Sequence, residues 1–195
     1  MGAGSMAKGH YGETPMIRKL VVAAALALSS APLAAQAEAE AAEQASPAVE
    51  QLRHVIGEWD VVTTFIRPDG SEAGSFDGIY AFEWVMEDKI VKGLSTIPQF
   101  KMASGLLFYL RDSTGEIEMA SVGPDGHLWV MTGPQDSETR VTPNTDMPDG
   151  TTLMLRFTRF NVSEDRFESK MERSINGGET WVQGNHQLFV RKREA

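Results

Sequence analysis

The sequence predicts an all-β protein, an antiparallel up-and-down barrel of about ten strands preceded by one short helix. Three observations carry this. Hydrophobic spacing switches from helical to two-residue alternation at Gly57-Glu58-Trp59 and stays alternating to the C-terminus. The alternating runs are short and are separated by turn-forming clusters, with no helical stretch between them. A meander of about ten such runs curls closed rather than leave two long edges unpaired.

The helix comes first. Ser46 is an N-cap residue and Pro47 suits the first helical position, while Val49, Leu52, Val55 and Ile56 recur on one face. Residues 47–56 therefore form the helix, and Gly57 ends it. The expected strands are 58–66, 75–85, 89–97, 104–111, 116–122, 127–133, 137–142, 151–160, 165–174 and 180–192. Their connections carry turn chemistry: Pro68-Asp69-Gly70, Glu87-Asp88, Asp112-Ser113-Thr114-Gly115, Pro124-Asp125-Gly126 and Asn176-Gly177-Gly178. Pro143 to Gly150 is the longest loop and the one expected to move. The chain contains no internal repeat.

Upstream of the helix lies targeting chemistry. Ile17-Arg18-Lys19 is a basic n-region, Leu20 to Leu28 an apolar run, and Ala35-Gln36-Ala37 fits an A-x-A cleavage site. Residues 16–37 read as a secretory signal peptide cut between Ala37 and Glu38, and the apolar run is short of the roughly 20 residues a spanning helix needs. Residues 1–15 carry no such logic and read as a non-native or mis-annotated leader, with Met16 as the natural start. Residues 38–45 are an Ala/Glu-rich tail, and residues 46–195 form a single domain. This places the protein in a bacterial periplasm or outside the cell, with no integral membrane segment in the mature chain.

Charge and composition exclude several functions. Residues 1–37 hold three basic side chains and one acidic one, so the remainder carries 15 basic against 26 acidic residues, a net charge of −11. Such a chain repels nucleic acid and anionic membrane faces. With no cysteine, thiol nucleophiles, Cys-ligated zinc and iron–sulfur clusters are ruled out, and the domain is held by its core alone. His54, His127 and His186 lack paired metal-ligand spacing, so no metal site and no cofactor are predicted, although a haem needs only one proximal His. No nucleophile elbow, phosphate loop or dinucleotide fingerprint appears. Asn161-Val162-Ser163 fits a glycosylation sequon, which has no consequence in a bacterial chain.

The second strand gives the clearest lining signal. Phe76, Gly78, Tyr80, Phe82 and Trp84 share one face, and alternation points it inward, as a solid aromatic core or as the wall of an apolar cavity. Gly78 suits a strand bend or a ligand. Trp59, Val61, Thr63 and Phe65 share a second inward face. On the sixth strand His127, Trp129 and Met131 lie together. If that face is inward, His127 stands near the barrel mouth as an acid/base or polar contact; otherwise it is a turn residue after Asp125-Gly126. Arg159 shares a face with Leu153, Leu155 and Phe157, where alternation places core. Either it pairs with Glu172 on the next strand, or it lies at a strand end and reaches water, which the sequence favours. The candidate ligand contacts are thus Phe76, Tyr80, Trp84, Trp129 and Arg159, and the candidate catalytic groups His127, Glu172 and Tyr80.

Gly57-Glu58-Trp59-Asp60-Val61, Arg67-Pro68-Asp69-Gly70, Phe82-Glu83-Trp84-Val85 and Glu172-x-Ser174-x-Asn176-Gly177-Gly178-x-Thr180-Trp181 resemble DUF1579 and related lipocalin-like proteins of unknown function, from about residue 50 to residue 193. Those relatives usually have Asp where this chain has Asn176, and more Trp than Glu116 to Val122 holds. The resemblance implies a calycin-type barrel with the helix closing one end, and Trp59 over the floor beneath Arg191 or Arg193. It implies no activity, cofactor or catalytic set.

Three functions compete on these grounds. The first is a binding barrel for a small hydrophobic or aromatic molecule, which requires an interior cavity. The second is a cofactor-free lyase, isomerase or cyclase acting on a hydrophobic substrate, which requires an inward titratable group with a shifted pKa. The third is a structural or partner-binding barrel with an exposed apolar patch or a dimer contact through 143–150.

Overall fold

The computed structural model describes residues 46–147 and 149–193. The expectations for the leader, signal peptide and tail, residues 1–45, lie outside them. Helix α1 (Pro47–Val55) starts where the side chain of Ser46 accepts the Val49 N–H, and it buries Ala48, Leu52 and Val55. Ile56 caps it, and Gly57 takes φ +115° to turn the chain into the first strand.

The strands are β1 (Gly57–Ile66), β2 (Glu72–Met86), β3 (Ile90–Ile97), β4 (Met102–Arg111), β5 (Glu116–Val122) and β6 (Leu128–Pro134). Then follow β7 (Thr139–Val141), β8 (Thr145–Asp146), β9 (Thr152–Ser163), β10 (Arg166–Ser174) and β11 (Val182–Arg191). All pairings are antiparallel. Sequence neighbours pair from β1 to β7, β7 pairs with β9, and the β9–β10, β10–β11 and β11–β1 pairings close a ring of ten strands. β8 stands outside that ring, paired only to β9. It lies in the segment expected as a plain loop: Asp149 accepts from the Thr151 N–H and hydroxyl, and the Met147 N–H reaches the Thr151 carbonyl, so a small hairpin forms. A 3-10 turn, Pro98–Phe100, joins β3 to β4.

Side chains alternate in and out as the pleat requires. Trp59, Val61 and Thr63 are buried on the inner face of β1. Gly78 serves strand approach rather than a ligand, because a Cβ there would lie 2.7 Å from the Thr96 carbonyl oxygen.

One end of the barrel is filled by α1. Trp59 sits edge-on to Phe167 with ring centroids 4.9 Å apart, and Phe167 stacks on Phe189 at 4.2 Å. The Trp59 indole N–H donates to the Val55 carbonyl at 2.8 Å. Arg191, at the end of β11, lies 4.2 Å over the Trp59 ring and donates to the Ile56 and His54 carbonyls at 2.7 and 2.9 Å. A single side chain thus satisfies helix-end carbonyls and covers the floor tryptophan. The outer wall carries an apolar row in which Leu94, Val122 and Leu128 are 40–57% exposed on β3, β5 and β6. Among the described residues no helix is long and apolar enough to cross a membrane.

Candidate functional site

Above the α1 floor the barrel interior holds a partly open cavity of about 220 Å³. Leu52 and Val55 form its base, and Phe82, Leu106, Phe108 and Ile117 part of its wall. That face follows from two-residue alternation on β2, β4 and β5. The polar lining includes Ser95, Ser104, Ser121 and Asn185, and within it stand two bonded groups, a neutral network around Gln187 and a charged cluster at the helix.

The neutral network centres on Gln187 of β11. Its side-chain amide donates to the Tyr80 hydroxyl at 2.9 Å and to the Thr63 hydroxyl at 3.0 Å, and its carbonyl accepts from Ser169 at 3.2 Å. Burial raises the Tyr80 pKa above its ordinary value, against the lowering effect of its hydrogen bonds, so the phenol keeps its proton.

The charged cluster comes from β7 and Glu138 just before it, β9 and α1. Arg159 is 6% exposed and clasps Glu138 with two hydrogen bonds, Nε at 2.7 Å and Nη2 at 2.9 Å. Its Nη1 donates to His54 Nδ1 at 3.1 Å. Arginine can only donate, so His54 Nδ1 accepts and the ring proton sits on Nε2, which donates to the Ser163 carbonyl at 2.8 Å. Burial lowers the His54 pKa, helped by Arg159 and Arg191 and opposed by the Ser163 bond and Glu138, so the ring is neutral.

Arg140, 4% exposed, is the second cation of the cluster. Its Nη2 donates to the Gln51 side-chain oxygen, and the Gln51 amide is held by the carbonyls of Gln135 and Ser137. Its Nε is buried without a partner, and no carboxylate pairs with it among the described residues. Burial pushes its pKa down to about 10, with Glu138 opposing and Arg159 adding, so it remains charged at neutral pH.

The residues singled out from sequence are scattered by the fold. Tyr80 and Arg159 line the cavity. Phe76 does not: it packs at the end away from α1, between Phe65 at 5.9 Å and Phe100 at 4.5 Å. Trp84 is at the other extreme, packed against the floor core, and Trp129 lies outside the lining with its ring 4.3 Å from His127. His127 precedes β6, its N–H bound to Asp125 in the turn and its Nε2 buried without a partner, and it too is off the cavity wall.

Glu172 is corrected most clearly. The β9–β10 register sets Glu172 opposite Arg156, while Arg159 faces Ser169. Arg156 and Lys170 take Glu172 at 2.9 and 3.2 Å, with Arg156 stacked 4.2 Å over Trp181. Burial pushes the Glu172 carboxyl up, but the two cations outweigh it and hold the group below the ordinary carboxylate value. Arg159 therefore pairs with Glu138 instead, and it is buried rather than at a solvated strand end.

Sequence reasoning missed Arg140, Glu138 and Gln51. Residues 137–142 are polar at every position except Val141, so alternation assigned that strand no inner face. Gly133 was a usable signal: a Cβ there would lie 2.1 Å from the Thr139 carbonyl oxygen and 3.1 Å from Arg140 Cγ, so only glycine lets β7 and its arginine pack onto β6. Among the described residues no group of three or more His, Asp and Glu side chains is placed to hold a metal.

No protein-family model matches the sequence, and no curated protein matches it. Solved structures do match. The chain is similar to Rv2717c from M. tuberculosis at a TM-score of 0.53 and 11% identity, over 77% of this chain and 100% of that one. It also matches an S-type phycobiliprotein lyase, CPES, from Guillardia theta (TM-score 0.46, 12% identity, 75% and 93% covered). A redesigned beta barrel, b11L5F_LGL, matches at TM-score 0.38 and 12% identity, over 73% and 95%. At 11% identity the likeness to Rv2717c is one of fold, a lipocalin-like ten-strand barrel. The finer resemblance to DUF1579 has no matching family model behind it.

Proposed function

We propose that this protein is an exported binding barrel that takes a small, largely hydrophobic molecule into the cavity above α1. The observation that carries this is the cavity itself, about 220 Å³, whose aromatic and aliphatic wall is interspersed with polar side chains from Ser95, Ser104, Ser121, Asn185 and Gln187 and the Arg140–Glu138–Arg159 cluster. A concave, mostly apolar surface with convergent polar groups is what small-molecule sites share. A core built only for stability closes such a space, because unfilled volume forfeits packing energy. At about 220 Å³ the cavity lies at the low end for small-molecule sites, which sets the ligand as small. Export rests on the signal-peptide pattern ending at Ala37, and N-terminal sequencing of the secreted protein tests it.

The enzymatic alternative requires an inward group able to move a proton near neutral pH. His54 has both ring nitrogens engaged, Glu138 is clasped by Arg159, and Tyr80 is held as the phenol. Glu172 is on the opposite face from the cavity-lining Met171 and is ion-paired. These arrangements favour binding over turnover, and the reading assigns no cofactor.

The direct test is native mass spectrometry of the purified protein, with solvent extraction of whatever accompanies it. A small hydrophobic adduct that disappears in a Ser121→Phe variant, where an inward serine becomes a bulky wall, is the expected result. An adduct that survives the filled cavity places binding elsewhere and defeats the proposal.

A further inference from the structure

We propose that the ligand of this cavity carries one anionic group, a carboxylate, and that Arg140 receives it. This rests on the cavity being a ligand site and names the chemical class the site takes. Three charged side chains face the cavity: Glu138, Arg140 and Arg159. Both carboxylate oxygens of Glu138 are engaged by the two-point clasp of Arg159. Arg140 has only the neutral amide of Gln51, so the cluster keeps one excess positive charge in a buried setting.

Burying a cation without a counter-charge is costly, and folded proteins pair such groups or place them where a partner arrives. The unpartnered, buried Nε–H of Arg140 is a donor with nothing to donate to. A carboxylate supplies the charge and the acceptor together, through short charge-assisted hydrogen bonds. The single excess charge selects a monoanion, since a dianion leaves one charge uncompensated beside Glu138. The remaining wall, with Phe82, Leu106, Phe108 and Ile117, takes an apolar body. The class is therefore a short amphipathic monocarboxylate, with a hydrocarbon or aryl body and its head toward α1.

Octanoate, 1-octanol and octyl phosphate separate the terms, because they share a chain and differ in the head. Titration calorimetry on the full-length protein at neutral pH should show octanoate binding about ten- to a hundredfold more tightly than 1-octanol, the margin of a charge-assisted hydrogen-bonded pair. Octyl phosphate should bind more weakly than octanoate. Arg140→Met should reduce octanoate to the level of 1-octanol while leaving 1-octanol within about twofold, which also certifies that the variant is folded and its cavity intact. Arg140→Lys, which keeps the charge and loses the planar fork, should fall between. Equal affinity for octanoate and 1-octanol in the native protein, or an octanoate preference that survives Arg140→Met, overturns the assignment. Octyl phosphate binding as tightly as octanoate overturns its single-charge element. Failure of the native protein to bind any of the three overturns the cavity reading itself.

Discussion

Replacing Arg140 by methionine should make the unliganded barrel more stable, by about 1 kcal/mol. The drop of its pKa from the ordinary guanidinium value to about 10 corresponds to about 3 kcal/mol against the charged form in the folded state. Methionine is uncharged and of similar length, and it removes that penalty. The variant loses the hydrogen bond to Gln51, which is worth about 1–2 kcal/mol for a charged donor. The difference leaves about 1 kcal/mol in favour of the variant, within the range measured when buried charges give way to hydrophobes. Urea unfolding with an unchanged m-value reads this directly, and the thermal midpoint should rise by about 2–4 °C. Saturating octanoate should then reverse the order, since ligand at about 100 times its Kd adds about 2.7 kcal/mol to the native protein and little to the variant. An Arg140→Met variant that loses 2 kcal/mol or more without ligand would show that the charge is satisfied within the fold, and the reasoning would be wrong.

Two further substitutions probe the floor. Arg191→Ala removes the stack on Trp59 and two carbonyl partners, and it should cost about 3 kcal/mol, whereas Arg191→Lys should cost about 1–2 kcal/mol because an ammonium cannot span both carbonyls. Urea midpoints check both, and a neutral Arg191→Ala would contradict the assigned role. His54 binds protons less readily folded than unfolded, so its contribution is complete above the unfolded value of about 6.5 and is lost as pH falls through the lowered folded value. His54→Gln should therefore flatten the loss of stability below about pH 6.5, so the gap in unfolding free energy between variant and parent above that pH narrows below it; a gap that stays constant at both pH values rejects it.

Much of the framework was legible because local chemistry and global closure agree. Turn clusters bounded the strands, and Gly57-Glu58-Trp59 together with the resemblance located the floor, where Arg191 covers Trp59. β8 was not legible, since two residues carry no period and the hairpin depends on Asp149 reaching Thr151. The site was half legible for a different reason. A period of two tells which face a residue occupies but not its height along the barrel. Tyr80, Phe76 and Trp84 share one inner face of β2, yet only Tyr80 meets the cavity; Phe76 belongs to the far end and Trp84 to the floor. Height is set by stagger between strands, as when the register places Arg156 rather than Arg159 opposite Glu172. Arg140 escaped because its strand has polar side chains on both faces, and inwardness there is decided by what Gly133 admits from the neighbouring strand.

Methyl-resolved NMR of the native protein titrated with octanoate shows directly where the ligand sits, because probes stand both inside and outside the barrel. Saturable shifts at cavity methyls, those of Leu52, Val55, Leu106, Ile117, Met119 and Met171, with Leu94 and Leu128 of the outer wall unmoved, are predicted. Shifts confined to Leu94 and Leu128, or cavity methyls that stay unchanged at saturating ligand, would place the ligand outside the barrel interior.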